Sequence, residues 1–141
     1  VPGKLKFQIQ KADLSADGNE FLKNYIPEFA HILCSNDYRS SIESIVVEGH
    51  TDKQKFGRTP EESANNNLKL SQDRSMAVVE AALSDLNDNK PDRACFLEKL
   101  SATGRGEQDA TSQDDAENRR VIFRIRIKVR DEDNMVRRLA Q

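Results

Sequence analysis

The stretch Ile42–Asp52, IESIVVEGHTD, and the segment Asn67–Arg74, NLKLSQDR, decide how this chain folds. Ile45-Val46-Val47 is a continuous apolar run, which predicts a central strand covered on both faces. Gly49-His50-Thr51-Asp52 then places the Asp52 carboxylate just past the strand's carboxyl end, where α/β sheets tend to hold ligands. Treating 67–86 as a helix, Asn67, Ser71 and Arg74 fall at i, i+4 and i+7, within about 60° of one another. Leu68, Met76, Val79, Ala82, Leu83 and Leu86 are expected on its core side. The polar trio then borders the core, at the rim between helix and strand-end loop. An ionised Asp accepts hydrogen bonds from an ammonium and Arg offers a planar fork to a carboxylate, so Asp52 and Arg74 suit a zwitterion. The competing reading is a plain Asp52–Arg74 salt bridge that positions the loop.

Working outward, Leu5, Phe7 and Ile9 alternate with polar residues and predict a first strand with one buried face. Phe21, Leu22, Tyr25, Ile26, Phe29, Ile32 and Leu33 recur at helical spacing after Ser15, a suitable N-cap. Pro27 lies inside that pattern, and an interior proline costs about 3 kcal/mol, so a kink or two abutting helices are expected. His50–Asn66 reads as a long polar loop, an unusual length for a compact domain and hence functional or mobile. Asn87–Pro91 ends the second helix, and Phe96–Thr103 and Val121–Val129 read as two further strands. The order βαβαββ predicts an α/β (α+β) two-layer sandwich: a mixed four-stranded sheet with the helices packed on one face. The domain is drawn over 1–130, with 131–141 as a tail or short helix.

The chain has 141 residues, 36% hydrophobic and 33% charged, with a net charge of −2. That size supports one domain with a real core. The charge argues against a nucleic-acid partner, and no apolar run reaches the roughly 18 residues that span a bilayer. Cys34 and Cys95 either form one bridge in an oxidising compartment or stay as two buried thiols. His31, Cys34, His50 and Cys95 lack the paired spacing of a zinc site, so no metal and no cofactor is expected. His50 sits near Asp52, but no nucleophile occupies a recognisable elbow, so no catalytic residue is assigned and the chain is not read as an enzyme. Gly104-x-Gly106 is a turn and not a phosphate cradle.

Gly49-His50-Thr51-Asp52, Gly57, Asn67-x-x-Leu70-Ser71-x-x-Arg74, Gly104-x-Gly106-Glu107 and Glu117-Asn118-Arg119-Arg120-Val121 occur in an order that resembles the OmpA-like peptidoglycan-binding domain. That family includes the periplasmic parts of OmpA, the lipoprotein Pal and the stator protein MotB. The resemblance runs from about Leu5 to Val129. It implies noncovalent binding of the meso-diaminopimelate of peptidoglycan stem peptides. Asp52 is then expected to take the ligand's ammonium and Arg74 its carboxylate, with Asn67 and Thr51 shaping the pocket and Arg119 adding a second guanidinium. His50, Gly57, Leu70, Ser71, Asn118 and Arg120 support them. The implied setting is the periplasm, with the domain tethering a membrane-anchored parent protein or complex to the cell wall. The alternative is a homodimerisation or assembly module of an envelope or motor complex. The segment between Asp52 and Asn67 is several residues longer than is usual in the family. Ser75 stands where the family commonly has Ala, and Gln10-Lys11 replaces the usual aromatic-acidic end of the first strand.

Overall fold

The computed structural model describes residues 5–111, 116–128 and 139. In chain order these form α1 (Ala16–Leu33), β1 (Ile42–Gly49), α2 (Pro60–Asp85), α3 (Lys90–Lys99), β2 (Leu100–Gly104), a 3-10 turn (Ala116–Asn118) and β3 (Val121–Ile127). The sheet is mixed, in the order β2-β1-β3. β1 is central, parallel to β2 and antiparallel to β3, with Val47 opposite both Ala102 and Phe123.

The period-2 pattern explains which face is buried. Ile45, Val47 and Gly49 lie opposite Ile125, Phe123 and Val121 on β3. Ile45, Val47 and Val121 join one core with Leu22 and Ile26 of α1, Val78 and Ala82 of α2, and Phe96 of α3. Val46 and Glu48 alternate to the opposite side, where Arg124 reaches Glu48 at 3.1 Å. α1 starts at the expected cap, with Ser15 Oγ accepting the Gly18 N–H at 3.0 Å. It runs unbroken through Pro27. Phe21, Tyr25 and Phe29 stack along it at about 5 Å between centroids, and Phe29 meets Phe96 and Phe123 edge-on.

Several sequence expectations need correction, beginning with the kink or helix break expected at Pro27, which α1 does not show. Among the described residues the sheet has three strands and not four, because there the first alternating segment makes a single bridge, Lys6 to Arg120. Leu5 and Phe7 are buried, but the chain turns at Gln8–Gln10, with Gln10 at φ 55°, and Ile9 is left exposed. The 50–66 loop is shorter than expected, since α2 begins at Pro60. Thr59 caps it by accepting the Glu62 N–H at 3.1 Å, and Pro60, Glu61 and Glu62 suit a first turn. Finally, Asn89-Lys90-Pro91 does not merely end α2. Asn89 caps a third helix, α3, which takes in Phe96 to Lys99 and delays β2 to Leu100. The 131–141 tail lies outside the described residues except for Leu139, which is exposed.

The phase of α2 also differs. Its buried stripe is Ser63, Asn67, Leu70, Ser71, Arg74, Ser75, Val78, Val79 and Ala82. Leu68 and Met76, expected in the core, are half exposed. The polar trio thus lies on the buried face itself. Two glycines permit this close approach: a Cβ on Gly49 would fall 1.9 Å from the Ser71 carbonyl oxygen, and one on Gly104 2.3 Å from Ser71 Oγ.

Cys34, at the end of α1, and Cys95, in α3, are joined in a disulfide with their Cα atoms 6.2 Å apart. Closing a loop across 61 positions removes unfolded-chain entropy worth about 4 kcal/mol. The double variant Cys34→Ala/Cys95→Ala should therefore lose about 2–4 kcal/mol of unfolding free energy in urea titration. An unchanged midpoint would show that the bridge is energetically idle.

Candidate functional site

At the carboxyl end of β1 four chain segments meet over the first half of α2. Arg74 is the centre of that junction. Its side chain has no exposed surface. Nε donates to the Lys11 carbonyl at 2.8 Å, Nη1 to that of His50 at 3.0 Å and Nη2 to that of Gln8 at 2.9 Å. The guanidinium also lies 5.2 Å from the centroid of Phe7, an attractive cation–ring contact. Burial lowers its pKa to about 10, against the opposing pull of Asp52, so it keeps its charge at neutral pH.

Asp52 is buried as well. No ion pair joins it directly to Arg74 among the described residues. Its Oδ2 accepts from Arg119 Nη1 at 2.8 Å, and its Oδ1 from the Gln54 N–H at 3.2 Å. Arg119 is anchored in turn by donating from Nε to the Phe7 carbonyl at 2.9 Å. The corner thus holds one carboxylate between two guanidiniums, one in contact and one acting through space.

The other residues expected here fall into place around that corner. Asn67 Nδ2 donates to the Gln54 carbonyl and to Glu107 Oε1, both at 3.3 Å. Gln54 therefore bridges Asn67 and Asp52 through its own peptide groups. Thr51 donates its N–H to the Gly106 carbonyl, while its buried Oγ1 has no partner among the described residues. Ser71 Oγ donates to the Leu68 carbonyl and accepts the Gly106 N–H. Leu70 is buried beside it. Gly57 presses on α2 so closely that a Cβ would meet Glu62 at 2.8 Å. Asn118 and Arg120 sit further off. Asn118 bonds Thr111 Oγ1 at 3.3 Å. The Arg120 backbone takes the His50 N–H, and its buried Nε has no partner among the described residues.

His50 is clasped by residues the sequence reading did not single out. Its Nε2 lies 2.8 Å from Glu48 Oε1 and its Nδ1 3.6 Å from Asp109 Oδ2. Strand alternation could have found Glu48, one step before Gly49 on the face away from the core. Asp109 carried no local signal. Glu48, His50 and Asp109 are close enough together to hold a cation. Each carboxylate is already matched by an arginine, Arg124 on Glu48 and Arg105 on Asp109, which lowers its attraction for one. The set of His31, Cys34, His50 and Cys95 offers no thiolate, because both cysteines are in the disulfide. His31 instead contacts Asp92.

Fold and corner together define an α+β domain of the OmpA-like class. The chain belongs to the OmpA family, whose sequence profile matches residues 6–124. Among solved structures it is similar to the OmpA-like domain of FopA1 from Francisella tularensis, with 23% identity and a TM-score of 0.57, covering 88% of this chain and 73% of that one. It is similar to the peptidoglycan-associated lipoprotein from Burkholderia pseudomallei, with 18% identity and a TM-score of 0.61, covering 86% of this chain and 88% of that one. It also resembles the C-terminal domain of Helicobacter pylori MotB, with 15% identity and a TM-score of 0.64, covering 97% of this chain and 95% of that one. No curated protein matches the sequence.

Burial lowers the His50 pKa below its ordinary 6.5, partly offset by the hydrogen bond and charge of Glu48. With the folded value below the unfolded one, His50 contributes stability that is complete above about pH 6.5 and lost as pH falls through the folded value. Glu48→Gln removes part of the offset. It should push the His50 pKa lower still, as read from imidazole NMR shifts. A rise on substitution would contradict this account of the His50 environment.

Proposed function

We propose that this chain binds peptidoglycan noncovalently, through the meso-diaminopimelate of the stem peptides, and tethers a membrane-anchored parent protein or complex to the cell wall from the periplasm. The single observation that carries the reading is the buried Asp52 carboxylate at the end of the central strand, flanked by Arg119 and Arg74. Membership of the OmpA family supports it, as does the fold shared with a lipoprotein named for its association with peptidoglycan. In this reading the ligand's ammonium takes over part of the hydrogen bonding that Asp52 now accepts from Arg119. The adjoining carboxylate is held by the guanidiniums.

The two arginines are not equivalent. Arg119 is partly buried and already touches Asp52. Arg74 uses three N–H groups on carbonyls out of the five a guanidinium offers. Contact with it requires the neighbouring Gln8–Lys11 turn to give way, whereas its charge acts on a ligand carboxylate without contact. Thr51 Oγ1, buried and without a partner among the described residues, is the kind of group that a bound polar group satisfies. The corner supplies recognition groups, a carboxylate and guanidiniums, and these support a binding role.

An assembly role is the second reading. It is favoured by β3, a sheet-edge strand with Ile125 and Ile127 exposed, since such edges are prone to pair with another chain.

Cosedimentation with purified sacculi separates the two. Wild type should pellet, free meso-diaminopimelate should release it, and Asp52→Asn should weaken binding by about tenfold or more, the loss of one charge-assisted contact. A circular-dichroism melt of the variant controls for unfolding. Binding that ignores both diaminopimelate and Asp52→Asn contradicts the assignment. No pelleting together with a dimer in analytical ultracentrifugation favours assembly.

A further inference from the structure

The loop that follows Asp52 forms a cleft next to the Asp52 corner. Residues 53–59 run from the Asp52 corner to the start of α2 and enclose about 390 Å³ with Ser63 and Glu107. That lies within the roughly 300–1,000 Å³ common for ligand sites. The loop is tied down along its length. Gln54 N–H bonds Asp52, Phe56 N–H bonds Ser63 Oγ at 3.0 Å, and Arg58 N–H bonds Glu62 at 3.3 Å. From α2, Asn66 and Asn67 donate to the Phe56 and Gln54 carbonyls. With the backbone pinned, Lys53, Lys55 and Arg58 line the cleft and remain exposed.

None of these three cations has an ion-pair partner among the described residues. Glu107 is the one carboxylate among the lining residues, and it is engaged by Asn67 at 3.3 Å. A locally cationic cleft therefore sits on a chain whose net charge is −2. Its position ties it to the first site. Gln54 gives its N–H to Asp52 and its carbonyl to Asn67, so the loop that lines the cleft is hydrogen-bonded directly to the Asp52 corner.

We propose that this cleft is a second subsite, which takes a free carboxylate of the stem peptide adjoining the diamino acid. Lys53, Lys55 and Arg58 are the residues that select it. The chain then prefers stem peptides whose neighbouring acidic residue is unamidated. This rests on the diaminopimelate reading of the Asp52 corner.

Isothermal titration with the tripeptide L-Ala-γ-D-Glu-meso-diaminopimelate, as the free acid and as the glutamate α-amide, tests it. Free meso-diaminopimelate and citrate serve as controls. Wild type should bind the free acid about tenfold tighter than the amide, the effect of a charge-assisted hydrogen bond. The triple variant Lys53→Gln/Lys55→Gln/Arg58→Gln, altered only at exposed side chains, should bind both peptides alike and keep its affinity for free diaminopimelate. Four outcomes overturn the proposal. The first is a variant that retains the preference. The second is a variant that loses free diaminopimelate equally. The third is citrate competing as well as the free-acid peptide, which would make the cleft a small-anion site. The fourth is wild type that ignores amidation while binding diaminopimelate through Asp52, which removes the subsite alone. If wild type binds no diaminopimelate, the underlying reading falls and the subsite with it.

Discussion

One buried guanidinium organises the functional end of this domain. Arg74 has no exposed surface and collects carbonyls from Gln8 and Lys11 of one turn and from His50, two segments far apart along the chain. Burying a charge costs several kcal/mol unless hydrogen bonds replace its water. Three carbonyls and the Phe7 ring supply that replacement. The same contacts explain why the first segment does not continue as a strand. Gln8 and Lys11 turn their carbonyls to Arg74 instead of to β3, and Ile9 is pushed outward. Gly49 and Gly104 complete the arrangement, since a side chain at either position would hold α2 away from the sheet.

The Asp52 corner follows from that frame. The carbonyl of His50 is fixed on Arg74 and its N–H on Arg120, so the chain leaving β1 has little freedom before Asp52. Arg119 is set by its bond to the Phe7 carbonyl, a segment that Arg74 also orders. Preorganisation of this kind reduces the cost of binding a charged ligand, because the protein groups are already desolvated and aimed. In the proposed function the ligand meets a carboxylate whose hydrogen-bonding partner is in place and exchangeable.

Much of this was legible in the sequence, and the failures have physical causes. The Ile45-Val46-Val47 run identified the central strand, Ser15 its helix cap, and GHTD with NxxLSxxR the two sides of the corner. The phase of α2 was misread because apolar residues were assigned to the core by type. Leu68 and Met76 are exposed, while Asn67, Ser71, Arg74 and Ser75 are buried against backbone. Hydrogen bonds to carbonyls, such as Ser75 Oγ to Val47 at 2.6 Å, leave no side-chain signature in the partner. α3 was hidden because Asn-Lys-Pro serves equally to stop one helix and to cap the next. The onset of α2 at Pro60 was obscured by the Asn run. Two of those asparagines are spent on the loop carbonyls of Phe56 and Gln54, which offsets their weak helix propensity.

The central claim is that Asp52 and its two arginines form a clamp for a zwitterion. A structure of the protein with meso-diaminopimelate bound tests it most directly. The ligand ammonium should lie within about 3 Å of the Asp52 carboxylate, with the adjoining ligand carboxylate on Arg119 or Arg74. A ligand bound elsewhere, with the Asp52–Arg119 pair undisturbed, would contradict it.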